Sequence, residues 1–384
     1  MIDPAEILPA ELIERMRRRA AEYDRENRFF DDDLAELRDH GYLRVFVPTD
    51  LGGGGHSLAD VSVLQQRLAG AAPATALAVN MHLVWTGVAK VLLDRGDDSL
   101  RFVLDGAADG ELYAFGISEA GNDLVLFGSD SQARPQADGG YRFSGTKIFT
   151  SLSPAWTRLG TMGLDTESAD APKVVYGFVE RDSSVSARDD WDTLGMRASQ
   201  SQTTVLDGAY APAARVVRRL DPGPNPDPFI FGIFACFEIL LASVYTGIGA
   251  RALELAVDAA HSRRSKRTGQ TLANDPDIRW RVADAAIAYD GILPQIGSLA
   301  SDVDDLVDHG ASWFPRLSSL KHRATETARH VVDQAIRVAG GSSYFSSNEL
   351  SRLYRDVLAG IFHPSDAESV HSAVANAWLG PVEG

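Results

Sequence analysis

An apolar run of bilayer length near the middle of the chain limits the folds that are open to it. The run covers residues 229–250 and reads FIFGIFACFEILLASVYTGIGA, close to the roughly 20 residues that a membrane-spanning helix needs. Glu238 lies near its centre, and a carboxylate is costly in lipid. The run also continues directly into ordinary helical sequence. We therefore predict no membrane span but the buried central helix of a helical bundle.

Composition indicates the size of the core and the class of partner. The 384 residues are 45% hydrophobic, which is enough for a large core divided among two or three domains. The net charge of −16 predicts a surface that repels nucleic acid and anionic lipid. Cys236 is the lone cysteine, so no internal disulfide can form. The first residues lack the pattern of a signal peptide, and we expect a cytoplasmic protein.

The periodic patterns change twice along the chain, which predicts three domains. Residues 1–108 are mainly helical, residues 109–220 alternate as short strands between turns, and residues 221–384 are helical again. The predicted fold class is α+β and mainly α, with an N-terminal helical domain, a middle antiparallel β-barrel or sandwich, and a C-terminal bundle of long helices. Because no Gly-x-Gly-x-x-Gly follows a strand, we expect no Rossmann domain.

The segment 340–366 carries the pattern that is most informative about function. It reads GGSSYFSSNELSRLYRDVLAGIFHPSD, with a Gly-Gly turn, an Arg355-Asp356 pair and a loop that holds His363 and Pro364. We expect Pro364 to begin a helix. The order resembles the C-terminal signature of the acyl-CoA dehydrogenase family, in which the glycines contact the flavin of a neighbouring subunit and the loop often carries the catalytic glutamate. Aligned from Arg355-Asp356, the place of that glutamate falls on Pro364.

Three further stretches extend the resemblance over nearly the whole chain. Residues 118–123 are similar to the family's Thr-Glu-Pro-Gly-Ala-Gly-Ser-Asp motif but are two residues shorter. Residues 145–151 are similar to its Gly-x-Lys-x-Trp-Ile-Thr, and residues 194–199 to its Leu-Gly-Trp-Arg-x-Ser turn. As an ordered set they imply the acyl-CoA dehydrogenase fold, bound FAD, and a divergent member that lacks the usual catalytic glutamate. No metal is expected.

The resemblance implies a set of residues around FAD. A strand and its turn would line the flavin, an aromatic side chain and a hydroxyl on one strand face would stack on it and bond to it, and arginines and glycines would reach a neighbouring subunit's cofactor. These residues are Phe115, Ile117, Ser118, Asn122, Phe149, Ser151, Arg264, Arg267, Arg337, Gly340 and Gly341. From the residues alone, an ordinary turn is the favoured explanation of residues 115–123, and a solvated basic helix end is the usual explanation of the arginines.

The resemblance also implies a reaction, the α,β-dehydrogenation of an acyl thioester of CoA or acyl carrier protein. The family's second place for the base, on the long helix, falls on Phe237, so the candidate catalytic residues are His363 and Glu238. His82, Asn122 and Glu238 are the candidate substrate-binding residues.

Because the usual glutamate is missing, two alternatives stay open. One is a flavin-dependent monooxygenase that carries out C- or N-oxygenation of a small molecule, and the other is a non-catalytic homologue that binds flavin or acyl thioester. The expected partners are the substrate, an electron-transfer partner or oxygen, and further copies of the chain. We expect a homotetramer built as a dimer of dimers, since the glycine turn would complete a neighbour's site.

Overall fold

A computed structural model describes residues 2–382 as two groups of helices with one sheet between them. The helices of this part of the chain are α1 (Ala10–Glu26), α2 (Asp31–Asp39), α3 (Leu58–Ala69), α4 (Pro73–Asp94), α5 (Arg101–Ala108), α6 (Pro228–Ser262), α7 (Pro276–Asp304), α8 (Trp313–Ala339), α9 (Glu349–Val357) and α10 (Ala367–Leu379). The strands are β1 (Tyr113–Gly116), β2 (Gln132–Pro135), β3 (Tyr141–Thr150), β4 (Arg158–Asp165), β5 (Lys173–Glu180), β6 (Val185–Ala187), β7 (Gln202–Ala211) and β8 (Val216–Leu220). The predicted fold class, α+β and mainly helical, is confirmed.

The sheet is mixed and strongly curved. Its strand order is β6-β7-β3-β2-β4-β5-β8, and β1 pairs with β4. Because β1 and β2 run parallel to β4, the sheet is not purely antiparallel as the sequence had indicated. The curvature brings β5 onto β3 and β7, where a Cβ atom at Gly177 would lie 3.2 Å from both Ala211 and Phe143. This close approach gives the sheet its sandwich-like shape.

The apolar run forms the core of α6. α4 and α6 are both long and apolar enough to cross a membrane, but 89% and 83% of their most apolar windows are buried within the fold. The prediction of a buried bundle helix is therefore confirmed. α6 and α8 run in the same direction, since Phe234 packs on Phe314 and, further along, Gly249 approaches Ala328. This pairing positions the side chains of the candidate site.

Local sequence signals explain most of the remaining elements. Ser57 caps α3, accepting a hydrogen bond from the Asp60 N–H at 3.1 Å. The prediction that Pro364 begins a helix is wrong, because α10 begins later and is capped by Asp366, which accepts the Ser369 N–H at 2.8 Å. Three short elements had no clear pattern and were missed, namely α5, β2 and β6.

The turn before β7 joins the sheet to both groups of helices. The N–H of Met196 donates to Asp356 Oδ1 on α9 at 2.6 Å. The guanidinium of Arg355 donates hydrogen bonds to both carboxylate oxygens of Asp24 on α1, at 2.9 and 2.5 Å. Gly195 lies between them, against the backbone of α9. The Arg-Asp pair that marks the C-terminal signature therefore fastens three parts of the fold together.

Replacing Gly195 with alanine is expected to lower the free energy of unfolding by about 1–3 kcal/mol. The new Cβ would lie 2.2 Å from the carbonyl oxygen of Arg355, a backbone atom that yields only if α9 moves. Denaturant unfolding measures the change. Gly291→Ala is the matched control, because within residues 2–382 no atom lies within 4 Å of its Cβ position in α7. It should leave stability unchanged or raise it by up to about 1 kcal/mol; an equal loss in both variants would contradict the close packing.

Candidate active site

The segment after β1 is fastened to β3 by a buried ion pair. Lys147 Nζ lies 2.6 Å from Glu119 Oε1, and Glu119 also accepts hydrogen bonds from the Ser131 hydroxyl and the Asp130 N–H. Burial alone would raise the pKa of Glu119, but the Lys147 charge and these hydrogen bonds outweigh it and lower the pKa to about 2. Neither residue was among the predicted site residues. The available signal was a lysine at an inward-facing position of an alternating strand, which requires a partner.

The predicted flavin-lining residues of β1 divide into a buried and an accessible group. Phe115 and Ile117 are buried, and the Phe115 ring lies between Trp85 of α4 and Phe237 of α6, with centroid distances of 5.0 and 5.5 Å. Ser118 is partly exposed, and its carbonyl accepts a backbone hydrogen bond from β3 at 2.9 Å. The polar edge at Ser118 is thus the part of this strand end that a ligand could reach.

Asn122 folds into its own loop. Its amide nitrogen donates to Glu119 Oε2 at 2.7 Å and to the carbonyl of Gly128 at 3.1 Å, while its amide oxygen accepts the Leu124 N–H at 3.0 Å. Each of these bonds holds the turn that follows β1. In this conformation Asn122 shapes the loop that the ion pair anchors, and its amide hydrogen bonds are made within that loop.

Phe149 and Ser151 do not share a strand face, so this part of the prediction is wrong. Phe149 has a φ of +56°, and the alternation of β3 ends there. Its ring is 56% exposed and meets Trp191 edge-on at 6.1 Å. Ser151 is buried, with its hydroxyl 2.7 Å from that of Ser201. Between them, Thr150 Oγ1 is buried without a hydrogen-bond partner among the described residues.

His82 is held in the core of α4 by both ring nitrogens. Its Nε2–H donates to the carbonyl of Leu43 at 2.7 Å, and its Nδ1 accepts the Tyr113 N–H at 3.1 Å. Burial lowers the pKa of His82 to about 4, so the ring is neutral. The structure gives this histidine a role in anchoring β1 to α4, and the predicted contact with substrate has no support from its geometry.

The predicted phosphate-binding residues lie on the surface, and a neighbouring arginine reaches the glycine turn. The exposed residues are Arg264, Arg267, Arg337 and Gly341. Arg263 instead donates to the carbonyls of the last two residues of α8. Its guanidinium lies 3.0 Å from the position of a Cβ at Gly340, whose φ of +67° favours glycine. Arg263 therefore stabilises the turn within one chain, while Arg337 pairs with Asp333 at 2.7 Å and Arg264 donates to the carbonyl of Gly269 at 3.2 Å.

Glu238 lies one residue after Phe237 and faces a different way. Phe237 packs on β1, whereas the Glu238 carboxyl is fully buried beside α8. Its Oε1 accepts the Ser365 hydroxyl at 2.5 Å, and its Oε2 has no hydrogen-bond partner in the described part of the chain. Burial raises the pKa of Glu238 to about 7, while the Ser365 hydrogen bond and the Lys321 charge act in the opposite direction.

Lys321 of α8 holds the loop between α9 and α10. Its buried ammonium donates to the carbonyls of Gly360 at 2.8 Å, His363 at 3.0 Å and Ser365 at 3.3 Å, which uses all three of its protons. Burial lowers the pKa of Lys321 to about 8, and the Glu238 charge opposes this effect. This contact could not be predicted from the sequence, because a lysine in an amphipathic helix pattern normally faces solvent.

His363 lies in a group of polar side chains that have unused hydrogen-bonding atoms. Its Nε2, the Tyr245 hydroxyl and the Thr325 hydroxyl are all buried without partners among residues 2–382. The His363 and Tyr245 rings are 5.8 Å apart, and a Cβ at Gly360 would lie 2.5 Å from Thr325 and 2.9 Å from Tyr245. Burial lowers the pKa of His363 to about 3, with the Lys321 charge acting in the same direction, so the imidazole is neutral.

A cavity of about 430 Å³ opens between α8 and this loop. Its lining includes Lys321, Thr325, Phe362, Ser365 and Asp366. Ser365 therefore faces the cavity and also bonds to Glu238. The fold brings the two predicted catalytic residues to the same loop, with a neutral imidazole on one side and a carboxyl that is easily protonated on the other.

Two family models match the chain. The model described as "Acyl-CoA dehydrogenase, N-terminal domain" matches residues 10–111, and the one described as "Acyl-CoA dehydrogenase, C-terminal domain" matches residues 239–365. The first covers the helices before the sheet, and the second covers most of α6 and the loop with His363.

Three relatives are similar over nearly the full length. The amino sugar nitrososynthase DnmZ of Streptomyces peucetius is 31% identical over 340 residues, 85% of this chain and 81% of that one. "Putative acyl-CoA dehydrogenase YdbM" of Bacillus subtilis (strain 168) is 27% identical over 377 residues, 94% of this chain and 92% of that one. KijD3, solved in complex with FMN and dTDP-3-amino-2,3,6-trideoxy-4-keto-3-methyl-D-glucose, superimposes with a TM-score of 0.85 at 26% identity, covering 100% of this chain and 96% of that one.

Proposed function

The chain belongs to the acyl-CoA dehydrogenase family, and from that premise we propose that it is a flavin-dependent monooxygenase that oxygenates a carbon or nitrogen atom of a small molecule. The observation that carries the proposal is the side chain at each usual place of the catalytic glutamate. Pro364 occupies the place in the loop. Phe237 occupies the place on α6, where its ring stacks on Phe115. Neither side chain can remove the α-proton of an acyl thioester.

The relatives favour nitrogen as the atom that is oxygenated. DnmZ is named an amino sugar nitrososynthase, and the KijD3 complex contains an amino sugar nucleotide together with FMN. Such a reaction puts one atom of O₂ into the substrate and releases the other as water. The two electrons that this requires would come from an electron-transfer partner. Oxygen and a reductase are therefore the proposed partners of this chain, beside its substrate.

Dehydrogenation of an acyl thioester is the second candidate, because a carboxylate stands one residue from the family's place on α6. Glu238 would have to turn from Ser365 toward β1, and one residue along a helix corresponds to a rotation of about 100°. The similarity to YdbM favours this reading. A third outcome, binding of flavin or thioester without turnover, is separated from both by the experiment below.

The region around Phe149 has the features that a flavin ring requires. An exposed aromatic ring on a left-handed backbone offers a surface for stacking, and the unpaired Thr150 hydroxyl and the accessible Ser118 edge offer hydrogen bonds. Ser151 is buried behind this surface, and its N–H donates to the carbonyl of Phe149 at 2.9 Å. When bound, the flavin supplies the electron transfer, and these residues hold and orient it.

The reaction type can be decided with the purified protein. Its flavin is identified first, and the oxidised protein is then mixed anaerobically with acyl-CoAs of several chain lengths. We expect no bleaching of the flavin. The protein reduced by a reductase is then given ¹⁸O₂ and candidate amines, and we expect the label in the product. Bleaching by an acyl-CoA would establish the second candidate instead. Flavin that binds but supports neither reaction would indicate a non-catalytic homologue.

We further propose that the cofactor is FAD and that the chain forms a tetramer in the cytoplasm. Arg264, Arg267 and Gly341 are exposed, and by the family resemblance they would contact the diphosphate of a partner's FAD. The acidic surface and the single cysteine support a cytoplasmic location. Light scattering that reports a monomer near 41.4 kDa would contradict the assembly.

Replacing Gly341 with aspartate is expected to weaken FAD binding by adding a side chain and a negative charge beside the adenosine phosphate, the end of FAD that FMN lacks. FMN has no adenylate, so its affinity should be unchanged. Titration of the apoprotein with each flavin measures both. Gly310→Asp is the matched control, an exposed glycine before α8 where neither flavin should lose affinity. Equal affinities for FAD in wild type and Gly341→Asp would remove this glycine from the cofactor site.

A further inference from the structure

The facing sides of α6 and α8 change from apolar to polar over one turn. Phe234 of α6 and Phe314 of α8 pack edge to face with centroids 4.9 Å apart. One turn further along each helix, the next facing residues are Glu238 and Ser318. A carboxyl that is fully buried in this position has lost its hydration, and it needs hydrogen-bonding partners to compensate.

The partner that it finds is a serine with a strained backbone. Ser365 has a φ of +60°, a region that non-glycine residues seldom adopt. The strain is held in place by Lys321, which binds the carbonyl of Ser365 and two others of the same loop. The result is a hydroxyl 2.5 Å from Glu238 Oε1 and 3.1 Å from the Ser318 hydroxyl. Strain that is maintained in this way commonly marks a functional position.

We propose that Ser365 links the Glu238 carboxyl to the cavity beside α8, so that this buried group exchanges protons with solvent through a single hydroxyl. A hydroxyl both donates and accepts, so Ser365 Oγ gives its proton to Glu238 Oε1 and regains one from a water or buffer acid in the cavity. The net change is one proton moved from solvent to the carboxylate. Glu238 is in this role a proton-holding residue, and Ser365 is its relay.

The other charged and titratable groups around Ser365 do not compete with Glu238 for the exchanging proton. Lys321 on α8 is committed to three backbone carbonyls, and Asp366 is committed to capping α10. His363 in the loop is neutral, and the Tyr245 hydroxyl on α6 keeps its proton because burial raises its pKa far above 10. Lys321, whose pKa burial lowers to about 8, also keeps its proton at pH 6, which leaves Glu238 as the group next to the relay that exchanges at that pH.

The use of this link during turnover rests on the proposed oxygenation, which releases water and therefore consumes protons inside the bundle. The link itself does not depend on that reaction. It can be measured without substrate, because a protonated carboxyl has an infrared C=O band that shifts when its proton is replaced by deuterium.

The experiment records this band in the flavin-loaded protein at pH 6 and follows its shift after transfer to D₂O. We expect a buried-carboxyl band in the wild-type minus Glu238→Gln difference spectrum, in which the bands of the buried Asp33 and Asp356, whose pKa values burial raises to about 6, cancel. Ser365→Ala should keep the band and slow its shift by roughly 10²-fold, the lower end of what one positioned proton-transfer group contributes. Ser318→Ala is the matched control, since it removes a neighbouring hydroxyl that does not bond to Glu238, and it should exchange as fast as wild type.

Thermal melting and flavin binding establish that each variant is folded. If Ser365→Ala does not fold, Ser365→Gly gives the same test, because glycine suits the φ of +60° and also lacks the hydroxyl. A wild-type minus Glu238→Gln difference spectrum that contains no carboxyl band would overturn the link, and so would equal exchange rates with and without the Ser365 hydroxyl. A protein that shows the link but does not oxygenate any amine would contradict the proposed function alone.

Discussion

Glu119→Ala should lower the free energy of unfolding by about 3–5 kcal/mol, the largest loss of stability that we expect from one substitution in this chain. Lys147 is completely buried, and the substitution removes the carboxylate that lies 2.6 Å from its ammonium. The hydroxyls of Ser129 and Ser131 lose their acceptor at the same time. Denaturant unfolding at neutral pH measures the change.

An exposed ion pair of the same sheet is the matched control. Arg134 and Glu167 lie 3.0 Å apart, and their side chains are 61% and 50% exposed. Glu167→Ala should therefore cost at most about 1 kcal/mol. A similar loss in both variants would show that burial does not distinguish the two pairs.

Lowering the pH should reduce the difference in unfolding free energy between wild type and Glu119→Ala. The pKa of Glu119 is lowered in the folded protein to about 2, below its value of 4.5 in the unfolded chain. A carboxyl whose pKa is lowered by folding stabilises the protein at pH values above its pKa in the unfolded chain. This stabilisation is lost as the pH falls toward its pKa in the folded protein. The two unfolding free energies should therefore converge between pH 4.5 and 2, and a constant difference over that range would contradict the pKa shift.

The sequence was informative wherever the signal is local. α6, α8 and β3 were located by their periodicity, and the start of α3 by its serine cap, because these patterns depend on neighbouring residues. The parallel pairing of β1 and β2 with β4 was not visible, since it joins segments that are distant in the chain. The break at Phe149 was hidden for another reason, because an aromatic residue gives no sign of a positive φ.

Prediction from the sequence was more limited at the candidate site than for the fold. α6 is apolar on all sides, so its sequence did not reveal which residues face β1 and which face α8. A difference of one residue decides whether the side chain next to β1 is Phe237 or Glu238, and with it the chemistry of the site. The neutral state of His363 depends on burial and on Lys321, which is distant in sequence.

The pKa values of His363 and Glu238 are in the reverse of their usual order, in which a histidine has a higher pKa than a glutamate. Burial lowers the pKa of His363 to about 3 and raises that of Glu238 to about 7. A histidine of ordinary pKa would give an inflection at about pH 6.5. His363 stays neutral in that range, so we expect an inflection near pH 7 in the free enzyme from Glu238, with Lys321, whose pKa burial lowers to about 8, as the neighbouring group that titrates next.

His363→Ala is expected to lower the single-turnover rate of substrate oxygenation by roughly 10²- to 10⁴-fold, the loss that follows from removing one positioned acid-base group. We expect this loss at every pH between 6 and 9, since Nε2 of a neutral imidazole is available over the whole range. The flavin should remain bound. His40→Ala is the control, an exposed histidine at the end of α2 whose removal should leave the rate unchanged.

The pH profiles of the variants then test the assignment directly. His363→Ala should retain the inflection near pH 7, and Glu238→Gln should lose it, because an amide does not titrate. Stopped-flow absorbance of the flavin gives both profiles. If the inflection disappears with His363 and persists in Glu238→Gln, the imidazole titrates in its ordinary range, and its burial in this loop does not hold in the working enzyme.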